Sequence, residues 1–276
     1  MFGAQVPLDW VLEPSIILGV LLVTGVYLGA ITVWRGRFPG SAPVSRGRIS
    51  AFLLGMLTLL LALLSPIADL SDYYLFSAHM VEHLLVTLIA PPLMLIGLPG
   101  WMIRPVFRRW PILLRIGRVV TTPLIAFATF NVIFSGYHLP RFYDISLASQ
   151  YAHAAFHVVF IVTALLTWWP VLSPLTELPS LSPLLQMIYL FAQTLPSQVL
   201  GALLTFSGRP RYDWYITAPR VWDNLTPQAD QQVGGLIMWV IGGTFFLAVF
   251  VFVFSRWVAA NDAKDRRSAR AMGRAR

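Results

Sequence analysis

The chain has 276 residues, 57% of them hydrophobic and only 12% charged, with a formal net charge of +8 and no cysteine. A charged fraction about half that of soluble domains, with the apolar residues gathered in long runs, excludes a soluble globular domain and predicts an all-α polytopic transmembrane bundle. The missing cysteines exclude disulfides, Cys-based zinc sites and thiolate copper relays, and positive charge confined to gaps and tail reads as a topology signal rather than a nucleic-acid surface.

The first apolar run, roughly 15–34, is long enough to span a bilayer. It follows Asp9 and Glu13, with no Lys or Arg before Arg35. It therefore lacks the positive flank of a secretory signal and is expected to be a retained span. Further spans are expected at roughly 49–68, 76–97, 119–138, 150–170, 184–206 and 231–256, seven in all. Pro66, Pro91 with Pro92, Pro140 and Pro170 fall near predicted ends, and Pro196, inside the sixth span, predicts a kink. Thr226-Pro227 has the form of an N-cap followed by proline at the first helical position, opening the seventh helix early. Gly25 with Gly29, and Gly235 with Gly242, are candidate points of close helix approach, or ordinary small residues of membrane helices. Residues 1–258 thus form a seven-helix transmembrane domain. The stretch 259–276 is a basic tail, expected as a short frayed helix against anionic lipid.

Orientation follows from the basic residues. Arg35, Arg37, Arg46 and Arg48 occupy the first gap, and Arg104, Arg108, Arg109, Arg115 and Arg118 the third. With the seven from Arg256 onward they make 16 of the 20 Lys and Arg, all on one side of a seven-span bundle. That side is expected to be cytoplasmic, which puts the N-terminus outside and the C-terminus inside.

All five histidines then fall in one outer layer. His79 and His83 lie in the first two turns of the third span, His153 and His157 in the first two turns of the fifth, and His138 ends the fourth. Each pair has i,i+4 spacing, so both rings project from one helical face, and two such faces can converge on one ion. A lone histidine near a span end is ordinarily an interfacial residue. Two H-x3-H pairs and a fifth histidine at one depth point instead to metal binding. Glu82 and Asp230 are candidates for further ligands or for partners that orient the histidines. Gln150, Gln231 and Gln232 stand at the same level, and Met238 lies deeper. Met80 points off the His79 face and reads as packing, while Trp34, Trp168 and Trp169 read as interfacial anchors. Trp214, Tyr215 and Trp222 mark the Arg209–Asp230 loop as a docking surface or a segment lying on the headgroups.

Imidazole suits copper, zinc, iron and nickel, and ligands one turn apart fit a compact ion better than a haem. At these residues the sequence resembles a known family. The stretch AHMVEHLLVTLIAPPLMLIGLP (Ala78 to Pro99) with DQQVGGLIMWV (Asp230 to Val240) is similar to the polytopic CtaG family of bacterial cytochrome c oxidase assembly factors. This is the seven-helix kind, not the single-span copper chaperone of the same name. GYHLP (Gly136 to Pro140) and YAHAAFH (Tyr151 to His157) also suit its pattern, so the resemblance covers most of the chain. It implies a multi-pass protein of the bacterial plasma membrane, needed to mature a haem-copper oxidase, partnered by oxidase subunits and handling copper at the outer face without turnover. Zinc and haem stand behind copper. The positions matching its motifs are His79, His83, His138, His153, His157 and Asp230.

The alternative is an intramembrane zinc-dependent hydrolase, because His79-Met80-Val81-Glu82-His83 matches H-x-x-E-H, with the glutamate as general base. A transporter would place ionisable residues near the midplane, and here the midplane is almost free of them.

Overall fold

The computed structural model describes residues 9–274, and every regular element among them is helical. The spans are α1 (Pro14–Ile31), α2 (Arg46–Leu64), a short α3 (Pro66–Tyr73) that leads into α4 (Phe76–Gly97), and, after α5 (Gly100–Arg109) and α6 (Pro111–Val120), α7 (Pro123–Tyr137). The short α8 (Pro140–Leu147) connects to α9 (Gln150–Leu172), followed by α10 (Pro183–Thr205) and a single turn, α11 (Asp213–Thr217). The last helix, α12, comprises Pro227–Leu236, a π turn at Ile237–Ile241, and Gly242–Arg274. Among the described residues six helices are long and apolar enough to cross a membrane, and the α6–α7 pair makes a seventh span if its two parts are taken together.

Proline explains many of the starts. Pro14, Pro66, Pro111, Pro123, Pro140, Pro183 and Pro227 each stand at a first helical position, where the missing N–H costs nothing and the fixed φ favours the helix. Thr226 Oγ1 accepts from Ala229 N, so the expected cap of the last helix is present. Pro91 and Pro92 behave otherwise: they lie inside α4, not at its end. The helix accommodates them with a π turn at Leu85–Ile89. Pro91 has no N–H for the carbonyl four residues back, and that carbonyl, on Thr87, accepts the Trp168 indole N–H at 3.0 Å instead. Trp168, only 2% exposed, is therefore an internal hydrogen-bond donor and not the interfacial anchor its position predicts. Pro196 sits within an unbroken α10.

The fourth span is shorter than expected. α6 and α7 meet at a bend of 72°, and only the 15 residues of α7 continue upward. At 1.5 Å per residue these cover about 22 Å, less than the roughly 30 Å of a hydrocarbon core. The preceding gap is itself helical, with Arg104, Arg108 and Arg109 on α5 and Arg115 and Arg118 on α6.

α4 is the central helix, with 61% of its apolar window buried against 17% for α1 and for α12. It packs against α2, α3, α9 and α12. Its far end is fastened by Arg48, whose guanidinium donates to Ile96 O at 3.0 Å and Leu98 O at 2.8 Å, satisfying carbonyls that the helix leaves open. At the same end Arg104 pairs with Glu177 at 2.6 Å. One end of the bundle is thus arginine-rich, and the histidines lie at the other. Between α10 and α12, Gly235 is a true close approach: a Cβ there would meet Thr205 Oγ1 at 2.5 Å and Gly201 O at 2.8 Å. Gly25 has nothing within 4 Å, and the nearest atom to a Cβ at Gly242 is at an ordinary 3.6 Å, so neither acts in this way.

Candidate metal centre

The histidine layer converges. The ring centroids of His79 and His83 are 4.3 Å apart on α4, and those of His153 and His157 are 4.3 Å apart on α9, as i,i+4 projection requires. Across the helices His79 lies 5.7 Å from His153, His83 lies 6.4 Å from His157, and His83 lies 6.1 Å from His138. His138 is the C-cap of α7, and its Nδ1 lies 2.7 Å from Phe134 O. A carbonyl only accepts, so that nitrogen carries the proton and Nε2 presents its lone pair. This backbone-fixed tautomer is the arrangement that orients metal-binding imidazoles.

Two carboxylates enter the same space. Glu82 is fully buried, and neither of its oxygens has a hydrogen-bond partner among the described residues. Its Oε1 nevertheless lies 2.6 Å from His157 Nε2. Asp72, from the last turn of α3, brings Oδ1 to 3.0 Å from His153 Nε2. Both contacts are close in distance but lack hydrogen-bond direction, since all four atoms remain unpartnered by geometry. Asp72 is the residue that sequence reasoning missed. Its one signal was a carboxylate on a short amphipathic helix next to the third span.

Asp230 does something different. Its Oδ2 accepts from Phe76 N at 2.7 Å and its Oδ1 from Ser77 N at 3.1 Å, with Ser77 Oγ also donating to Oδ1. It caps α4 from α12, fixing the helix that carries His79 and His83 while both of its oxygens are engaged. Gln231, beside it, accepts from Arg211 N at 2.6 Å and ties down the following loop. Gln150 is exposed and pairs with Glu13, away from the cluster.

A belt of tyrosines closes the histidine end. Tyr137 OH stands 3.4 Å from His79 Nε2 and accepts from Ser146 Oγ at 3.0 Å. Tyr212 OH donates to His138 O at 3.0 Å, and Tyr215 OH donates to Ser71 O at 2.6 Å. Burial holds the phenols of Tyr143 and Tyr215 well above the ordinary value of 10, so both stay protonated. Trp214 donates its indole N–H to Asp72 O at 2.8 Å. The 209–230 loop is therefore folded over the cluster by Tyr212, Trp214 and Tyr215, and of its named aromatics only Trp222 is strongly exposed, at 53%.

The donor chemistry fits a metal ion. The ligand atoms of Glu82, His153 and His157 lie within 4.8 Å of one another, and so do those of Asp72, His79 and Glu82. Donors 2.0–2.2 Å from one ion are at most about 4.4 Å apart, so each group would hold an ion after closing by no more than about 0.4 Å. Buried imidazole and carboxylate atoms without partners are costly unless a cation or proton meets them. On the inner side a cavity of about 30 Å³ adjoins His83 and is lined also by Met80, Met238, Thr87, Asn131 and Gln193. His83 has both ring nitrogens unpartnered and joins neither donor group.

Residues 25–260 match the family described as cytochrome c oxidase caa3 assembly factor (Caa3_CtaG). The chain belongs to this family. No curated protein and no solved structure matches it significantly. The caa3 assembly factor match spans the positions of all five histidines, Asp72, Glu82 and Asp230. Membership bears out the resemblance carried by the Ala78–Pro99 and Asp230–Val240 stretches.

Proposed function

We propose that this caa3 assembly factor matures a haem-copper oxidase by accepting copper in the histidine–carboxylate cluster and releasing it to an oxidase subunit. The observation that carries the reading is the set of buried, unpartnered nitrogen and oxygen donors drawn together from α3, α4, α7 and α9. His79, His153, His157, Glu82 and Asp72 are the holding residues, and His138 presents a pre-set lone pair beside His83. Release needs an accessible route. The Asp72 side chain is 27% exposed, His153 11% and Glu82 1%, which grades the donors from surface to interior. Exchange therefore starts at Asp72. With no cysteine, it uses imidazole and carboxylate alone, or the thioethers of Met80 and Met238.

The positive-charge rule places the histidine end outside a bacterial plasma membrane, with the 259–276 tail in the cytoplasm. A deletion strain should lose assembled oxidase activity, regain it with the wild-type gene, and fail to regain it with a His79→Ala/His83→Ala/His153→Ala/His157→Ala variant produced at normal level. Full rescue by that variant would sink the reading. The zinc hydrolase reading gains no support from the geometry: Glu82 sits in both donor groups and His83 in neither, the reverse of the roles H-x-x-E-H assigns.

A further inference from the structure

We infer that the cluster is a two-ion centre in which Glu82 bridges one ion held with Asp72 and His79 to a second held with His153 and His157; this rests on the metal-binding reading above. Five donors around a single ion would all lie within reach of one another. Here they separate into two triads that share one residue. Of the two carboxylates among the five, Glu82 is the one with both oxygens buried and unpartnered. A carboxylate in that state is the group that two-metal sites use as a clamp, with the ions about 3.5–4 Å apart. The triads are also adjacent along a second edge, where Asp72 Oδ1 lies 3.0 Å from His153 Nε2.

The donor set is nitrogen and oxygen only, three imidazoles and two carboxylates. That suits borderline divalent ions such as Cu²⁺ and Zn²⁺. Each triad leaves coordination positions open, which is what a cargo site needs for exchange and what a closed structural site lacks.

The test uses full-length protein in detergent, loaded with Cu²⁺, desalted and analysed for bound copper and for its electron paramagnetic resonance. Two ions per chain are expected, with the spin signal reduced by coupling through the shared carboxylate. Asp72→Asn alters an accessible side chain and should halve the copper while restoring an isolated one-spin signal. His157→Ala should do the same from the other triad, and Glu82→Gln should remove the coupling. One ion per chain with an uncoupled signal, unchanged in Asp72→Asn, overturns the two-ion centre and leaves the single-site reading standing. No copper in the wild type overturns both.

Discussion

Asp230 binds no imidazole, yet it decides where two of them stand. Its carboxylate receives two backbone N–H groups and one hydroxyl at the start of α4. Charge-assisted hydrogen bonds of this kind are each worth about 1.5–3 kcal/mol. Asp230→Ala should therefore lower the thermal midpoint in detergent and weaken metal retention at His79 and Glu82, the holding residues on α4, while Asp230→Asn, which keeps an acceptor, should lose less. An unchanged midpoint for the alanine variant would remove the capping role. Trp168 poses the same question deeper in the bundle. Trp168→Phe keeps the ring but strands the Thr87 carbonyl opposite Pro91, at a cost of about 1–3 kcal/mol. A double variant with Pro91→Ala should recover part of that loss, because it returns the missing N–H.

Between elements, stability rests on how closely helices can approach. Gly235 meets Gly201 and Thr205 with no room for a Cβ, whereas Gly25 faces open space. Gly235→Ala should destabilise by about 1–3 kcal/mol, and Gly25→Ala should leave the melt unchanged. Equal effects from the two would contradict the α10–α12 seam. At the arginine end, the Arg104 guanidinium holds the Glu177 carboxyl down at about 2, below its ordinary 4.5. A depressed carboxylate stabilises above its ordinary value and loses that contribution as pH falls through its lowered one. The difference in melting between wild type and Glu177→Gln should thus be flat above 4.5 and vanish only on approach to about 2. The sequence made the spans and the histidine spacing legible because both depend on local periodicity. It hid what depends on tertiary neighbours. Asp72 enters the cluster only because α3 folds back onto α4, Pro91 is tolerated only because a distant indole takes its carbonyl, and the fourth span is short only because the chain bends by 72° before Pro123.

The whole molecule is polarised along its axis. α4 alone spans about 33 Å by its 22 residues, with imidazoles in its first turns and Arg48 clasping its last carbonyls. A reporter fused at Arg276 should behave as cytoplasmic, and an external signal would invert the proposed topology. The tyrosine belt and the folded 209–230 loop cover the histidine end, and Asp72 is its most accessible donor. Under the proposed function, the bundle needs only to hold an ion and let it go. The most direct test is the metal content of the purified full-length protein. Bound copper that is lost in the His79→Ala/His83→Ala/His153→Ala/His157→Ala variant, with the fold intact by circular dichroism, is the predicted result. Wild-type protein carrying no transition metal above background, before or after loading with copper, would contradict it.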